Sequence, residues 1–251
     1  MTRVAIIQSN YLPWKGYFDI IHDVDIFVFL DDVQMTKRDW RTRNKIKTPR
    51  GTEWLTVPVK GGRDQLICET EIATSNWQKD HWKAWHTNYS RTPFFREYKS
   101  LLEWLYGESH RNLSKFNQQA TAMICDILGI TTRLLCSSDL DAGGVKDDRI
   151  INICKILGAT SYLSGPAASH YIVAEKFSAA KIELEYKDYS GYPEYPQLFP
   201  PFEHAVSILD LLFNCGPAAP EYIWGWRKIS MPATEQASHF TLSNTPESRV
   251  S

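Results

Sequence analysis

The chain has 251 residues, 43% of them hydrophobic and 23% charged, with a formal net charge of -1. That fits one large domain with a real core, and it excludes a global field drawing the chain onto nucleic acid or a membrane surface. No apolar run approaches the roughly 20 residues a bilayer span requires, and the opening runs straight into a strand, so no signal peptide is expected. Cys68, Cys125, Cys136, Cys154 and Cys215 are odd in number, scattered and form no C-x-x-C pair. Free thiols in a reducing cytoplasm are the expectation.

Val4 to Ile7 is a short apolar run that breaks at Gln8. Residues 8–16 (QSNYLPWKG) read as a loop. Tyr17, Ile20, Ile21 and Val24 then repeat at helical spacing, and Ile26 to Leu30 is a second apolar run ended by Asp31 and Asp32. Two apolar runs joined by a helix predict a parallel sheet buried on both faces, with ligands at the carboxyl ends of its strands. Gln8 and Asn10 fall at one such end, Asp31 and Asp32 at the next. The aspartates suit a proton acceptor, a Mg²⁺ ligand or a partner for a ligand amine, and equally suit helix caps or turns.

A basic segment follows, with Lys37, Arg38, Arg41, Arg43, Lys45, Lys47 and Arg50 around Trp40 and Asn44. Positive charge concentrated beside strand ends predicts a phosphate or carboxylate site, against the alternative of a solvated mobile loop. Glu53 to Val59 alternates as a strand, with Pro58 marking an edge or an end. Residues 75–110 are dominated by aromatics and predict a helical insertion, one helix capped by Ser75 or Asn76 and a second begun by Thr92-Pro93. His81 and His86 lie about 140° apart on such a helix and do not share a face as two metal ligands would. No metal site is predicted.

Residues 112–128 form an amphipathic helix stopped by Gly129, followed by a strand over 131–137 and a polar loop containing Lys146. Asp147 or Asp148 caps the next helix, stopped by Gly158. Ser161 to Leu163 is a strand ended by Ser164-Gly165-Pro166, residues 167–177 a helix, and residues 182–186 a half-exposed strand. The strand–helix alternation predicts a mostly parallel, Rossmann-like α/β sheet flanked by helices. Residues 1–230 make one domain and 231–251 a flexible C-terminal tail. The Pro-rich stretch 191–201 is an ordered loop, and residues 202–214 return to helix.

Gly16 to His22 spells G-x-F-D-x-x-H, similar to part of the signature of cytidylyltransferase-like enzymes. It lies inside the helix and lacks the closing G-H. No P-loop, G-x-G-x-x-G, H-E-x-x-H or G-x-S-x-G occurs. His170, just past a strand end, and His204, beside the Pro-rich loop, are candidate general bases because imidazole changes charge near neutral pH.

Several blocks together resemble the WbqC-like family. They are Ile7 to Phe18, Leu30 to Gln34, Arg43 to Lys47, Tyr162 to Gly165, Tyr195-Pro196-Gln197 and Ser207 to Asn214, in order across roughly residues 4–216. Ser9 stands where proline is more usual, which alters loop stiffness rather than chemistry. The resemblance implies association with O-antigen and other surface-polysaccharide genes, without an assigned reaction or catalytic residue.

In that setting the expected partner is a nucleotide-activated sugar. The expected activity is N-acylation or aminoacylation of a nucleotide-linked amino sugar such as a dTDP-amino sugar. Asp31, Asp32, His170 or His204 would take the proton. Arg38, Arg41, Arg43 and Lys47 would hold the diphosphate, while Lys15 and Lys146 would balance an acyl phosphate or adenylate. Gln8, Asn10, Asn44, Ser164, Tyr195 and Gln197 complete the binding set. ATP with Mg²⁺ is the candidate source of activation. No nucleic acid or membrane partner is expected, and a homodimer is compatible with the sequence. A nucleotidyltransferase-like enzyme and a non-catalytic sugar-nucleotide-binding module are the alternatives.

Overall fold

The structure, a computed structural model, describes residues 1–227 apart from residues 37, 63 and 108. The expected tail at 231–251 lies outside the described residues.

Five parallel strands form the main sheet: β1 (Arg3–Ile7), β2 (Ile26–Phe29), β5 (Arg133–Cys136), β6 (Ser161–Ser164) and β7 (Glu183–Tyr186). Their spatial order is β5-β2-β1-β6-β7, so both halves of the chain feed one sheet. The chain winds outward from β1 to β2 to β5, crosses back, and continues from β6 to β7. The crossover point therefore lies between β1 and β6, which pair through Arg3–Ser161 and Val4–Tyr162. In a doubly wound sheet the crevice beyond the carboxyl ends of such strands is where ligands bind.

Alternation along the strands supplies two apolar faces. Ala5, Phe27, Phe29 and Leu163 belong to one buried cluster, whereas Val4, Ile6, Val28 and Tyr162 belong to another. The first face is covered by α1 (Lys15–His22), α4 (Leu113–Leu128) and α7 (Ile208–Cys215). The second is covered by α5 (Asp147–Ile156) and α6 (Ala174–Ala179). Helix α4 ends at the predicted stop, with Gly129 in the left-handed conformation at φ 72°, and at its start Asn112 accepts from the Lys115 N–H at 2.9 Å as an N-cap.

Four local expectations change. The basic segment is not a mobile loop: Arg43–Thr48 is strand β3, paired antiparallel with β4 (Gly51–Thr56) in a separate two-stranded sheet. Residues 75–110 contain α2 (Trp77–Tyr89) and α3 (Lys99–Gly107), but α3 starts well after Thr92-Pro93. The intervening turn is held because the Phe94 N–H bonds the Phe213 carbonyl and the Phe95 ring packs 5.1 Å from that of Phe213. Residues 167–177 are a 3₁₀ turn (Pro166–His170) followed by the short α6. Helix α7 begins only at Ile208, capped by Ser207, because the preceding residues are drawn across β3 by the Ser207 N–H to Lys45 carbonyl bond.

Candidate functional site at the crossover crevice

The loop after β1 folds back over the start of α1. Tyr11 donates its N–H to the Trp40 carbonyl at 2.9 Å, and Pro13 accepts from the Ile208 N–H at 2.9 Å. Asn44, buried in β3, donates to the Leu12 carbonyl at 2.6 Å and accepts from its neighbour Lys45. These bonds join the loop, the β3–β4 hairpin and α7 around a cavity of about 210 Å³ lined by Asn10, Pro13, Trp14, Trp40, Asn44 and Ala205. The Trp14 indole lies over Gly16. A Cβ at Gly16 would overlap that ring, which is itself held edge-on by Tyr189 at 4.9 Å and Tyr192 at 6.0 Å.

Beside this cavity, Lys15 and His204 follow and precede two of its lining residues. Lys15 is only 2% exposed. Its Nζ donates to the Pro193 carbonyl at 3.2 Å and lies 4.8 Å and 5.4 Å from the ring centres of Tyr192 and Tyr195. Burial lowers its pKa from 10.5 to about 8. Its place in the first turn of α1, where the helix dipole is positive, gives the charge no relief. His204 is half-buried, with Nδ1 enclosed and lacking a hydrogen-bond partner. Burial, then the Lys15 charge, push its pKa down, against the opposing pull of Glu194 and Glu203. The ring is therefore a neutral imidazole at pH 7 that can accept a proton.

The two aspartates at the end of β2 are engaged differently. Asp31 is buried and accepts from the Ser9 N–H at 2.8 Å, from Gln118 at 2.8 Å and from the Ser114 hydroxyl. Asp32 accepts from Ser137 at 2.5 Å and pairs with Arg149. All four carboxylate oxygens are thus committed to neighbouring elements, and the pair pins β1, α4, α5 and the turn after β5 to the end of β2.

The basic segment does not form one phosphate clamp. Arg41 pairs with Asp39 at 2.6 Å, and Arg38 is exposed at φ 57°. Lys47 is turned inward, because its Nζ satisfies the Pro201 carbonyl and its backbone N–H the Tyr89 hydroxyl. Arg43 lies 4.2 Å over the Trp54 ring.

Tyr195 and Gln197 serve Asp210, which accepts from Tyr195 at 2.7 Å, Tyr89 at 2.7 Å and Gln197 at 2.9 Å. Burial raises the Asp210 pKa despite those three donors. Gln8 and the buried Ser164 sit at the carboxyl ends of β1 and β6. Lys146 precedes α5 at φ 51°, and His170 is exposed on the 3₁₀ turn, both apart from the cavity lining.

In the G-x-F-D-x-x-H string, Asp19 and His22 join Asp23 with ligand atoms within 4.8 Å of one another. Cations already fill that cluster: Lys187 pairs with Asp19 at 2.8 Å and Asp23 at 2.6 Å, and Arg227 pairs with both. Sequence reasoning missed Trp14 and Trp40 as cavity walls. The only local signal was an aromatic beside each of two polar loops.

The fold defines a doubly wound α/β protein with a cavity between the loop after β1, the β3–β4 hairpin and the residues before α7. Residues 8–222 match the model of the WbqC-like protein family, and the chain belongs to that family. It is 49% identical over 226 residues to "Uncharacterized protein Rv1507c" of Mycobacterium tuberculosis, a match covering 89% of this chain and 98% of that protein. No solved structure matches. Among the described residues, no helix is long and apolar enough to cross a membrane.

Proposed function

We propose that the chain is a cytoplasmic enzyme of surface-polysaccharide sugar biosynthesis. It transfers an acyl or aminoacyl group to the amine of a nucleotide-linked amino sugar, such as a dTDP-amino sugar. The observation that carries this reading is the pairing of a buried, weakly compensated Lys15 amine with a neutral His204 beside the crossover cavity. A buried ammonium with one carbonyl acceptor and no carboxylate partner is costly to fold around, and groups perturbed in this way cluster at functional sites.

In the proposed step the sugar amine attacks the carbonyl carbon of an acyl phosphate or acyl adenylate. The C–N bond forms as the C–O bond to phosphate breaks. The proton lost by nitrogen passes to His204. The leaving phosphate or nucleoside monophosphate takes the bonding pair, and the Lys15 ammonium faces its growing charge. The aspartates at the end of β2 hold the frame in which this occurs. Asn10 offers an amide at the cavity wall for sugar hydroxyls, while Asn44, bonded to Leu12 and Lys45, holds that wall in place.

The test is to incubate the protein with a dTDP- or UDP-amino sugar and either an acyl phosphate or ATP, Mg²⁺ and a carboxylic or amino acid. Products are then weighed by mass spectrometry. The expected product has gained one acyl group and lost its free amine, at a rate that collapses in His204→Ala. Pyrophosphate release from a nucleoside triphosphate and a sugar phosphate alone overturns this reading in favour of nucleotidyl transfer. Binding with every sugar nucleotide recovered unchanged overturns it in favour of a binding module.

A further inference from the structure

The outer face of the β3–β4 hairpin carries a feature that a structural hairpin does not require. Trp40 and Trp54 are 46% and 42% exposed, although large aromatic rings are ordinarily covered. Their ring centres are 5.4 Å apart at a tilt of 44°. The Arg43 guanidinium lies 4.2 Å over the Trp54 ring, and the Lys45 Nζ 5.4 Å from it. Arg43 and Lys45 share one face of β3 by the two-residue strand period, and Lys45 is the direct cross-strand partner of Trp54. Among the described residues neither cation has an acidic partner, whereas their neighbours do: Arg41 pairs with Asp39 and Arg50 with Glu53. The patch is therefore aromatic, cationic and uncompensated on a chain whose formal charge is only -1.

The patch is also fixed in position. The Trp40 carbonyl accepts the Tyr11 N–H, so the backbone that carries this indole is tethered to the loop after β1, and Trp40 lines the cavity there. A ligand can thus run from the cavity onto the indoles without crossing unrelated surface. Planar rings stack on indoles, while Arg and Lys hold phosphate oxygens. A nucleoside diphosphate combines both chemistries in that order.

We propose that Trp40 and Trp54, flanked by Arg43 and Lys45, seat the nucleoside diphosphate end of the acceptor, leaving the attached sugar in the cavity beside Lys15 and His204. That the seated molecule is an acyl acceptor rests on the function proposed above. The seat itself rests only on the hairpin.

The two separate by experiment. Isothermal titration calorimetry of the full chain with dTDP, UDP, inorganic pyrophosphate and free glucosamine measures the seat without any turnover. The expected result is binding of dTDP or UDP that weakens about tenfold in Trp54→Ala through loss of stacking. Lys45→Gln weakens it about threefold and flattens its salt dependence. Pyrophosphate and glucosamine alone bind more weakly and are indifferent to Trp54→Ala.

Trp54 is exposed enough that its loss leaves the fold intact, which circular dichroism verifies; Lys45→Gln serves as the second variant. The seat is overturned by wild-type affinity for dTDP and UDP in Trp54→Ala, by pyrophosphate binding as tightly as dTDP, or by no binding of either nucleotide. If Trp54→Ala weakens dTDP but the acyl-transfer assay yields no product, the seat stands and the proposed reaction fails. If product forms and Trp54→Ala leaves the acceptor KM unchanged, the reaction stands and the seat fails.

Discussion

Two groups of titratable side chains border the loop after β1, and they are paired very differently. At the end of β2, Asp31 and Asp32 have every carboxylate oxygen engaged by a hydroxyl, an amide or a guanidinium. At the start of α1, Lys15 has a single carbonyl acceptor and His204 an enclosed nitrogen with none. Both groups are polar and drawn from strand or helix ends. The difference teaches that position at a strand's carboxyl end does not by itself make a residue reactive. A group whose hydrogen bonds are complete stabilises the frame, while one buried without full compensation is a candidate for contact with a ligand.

The comparison breaks most sharply at His204. His204→Ala is expected to lower kcat for acyl transfer by about 100-fold or more, the usual weight of a proton acceptor, with an unchanged melting temperature. The same rate loss in Asp31→Asn with the fold intact would erase the distinction between the two groups. Next in size, Asp31→Ala is expected to cost about 3 kcal/mol in urea unfolding, because it strands the Ser9 N–H and the Ser114 and Gln118 donors inside the protein.

Lys15→Met points the other way. It should abolish transfer while raising unfolding free energy by about 1 kcal/mol, since a buried charge gives way to an apolar chain of similar length. That gain depends on pH. The folded pKa, about 8, lies below the ordinary 10.5, so the native state sheds this proton first. The advantage of methionine is therefore full below pH 8 and fades as pH rises from there towards 10.5, which unfolding curves at pH 7 and pH 10 would reveal.

The wild-type kcat/KM should follow a bell, with an acid limb below pH 6.5 from His204 and an alkaline limb near pH 8 from Lys15. The smallest effect sharpens the geometry rather than the chemistry. Gly16→Ala displaces the Trp14 indole from its place over α1 and should raise the acceptor KM several-fold, with kcat held within about twofold.

Much of the frame was legible because its signals are local. The apolar runs of β1 and β2, the spacing of α1, and the Asn112 and Gly129 ends of α4 lie within a few residues of the elements they define. Strand β3 was legible in principle, since Asn44, Ile46 and Thr48 alternate with Arg43, Lys45 and Lys47. The charge of the odd positions concealed the period.

Pairing was not legible at all. Asp31 meets Gln118 across 87 positions, and Tyr89 meets Asp210 across 121, so no window of sequence shows that these carboxylates are already occupied. Lys47 and Lys15 read alike in composition, and each donates to a proline carbonyl, yet it is Lys15 whose charge acts on His204 with its unpartnered Nδ1.

The bonds from Lys15 to Pro193 and from Lys47 to Pro201 span 178 and 154 positions of the chain. Contacts of such separation close late, after local helices and hairpins have formed. A ribosome therefore releases nearly the whole polypeptide before the Lys15 amine acquires its enclosed surroundings, and until then it behaves as an ordinary solvated lysine. Any reactivity that enclosure confers is switched on by completion of the chain, and a nascent or truncated fragment carries none of it.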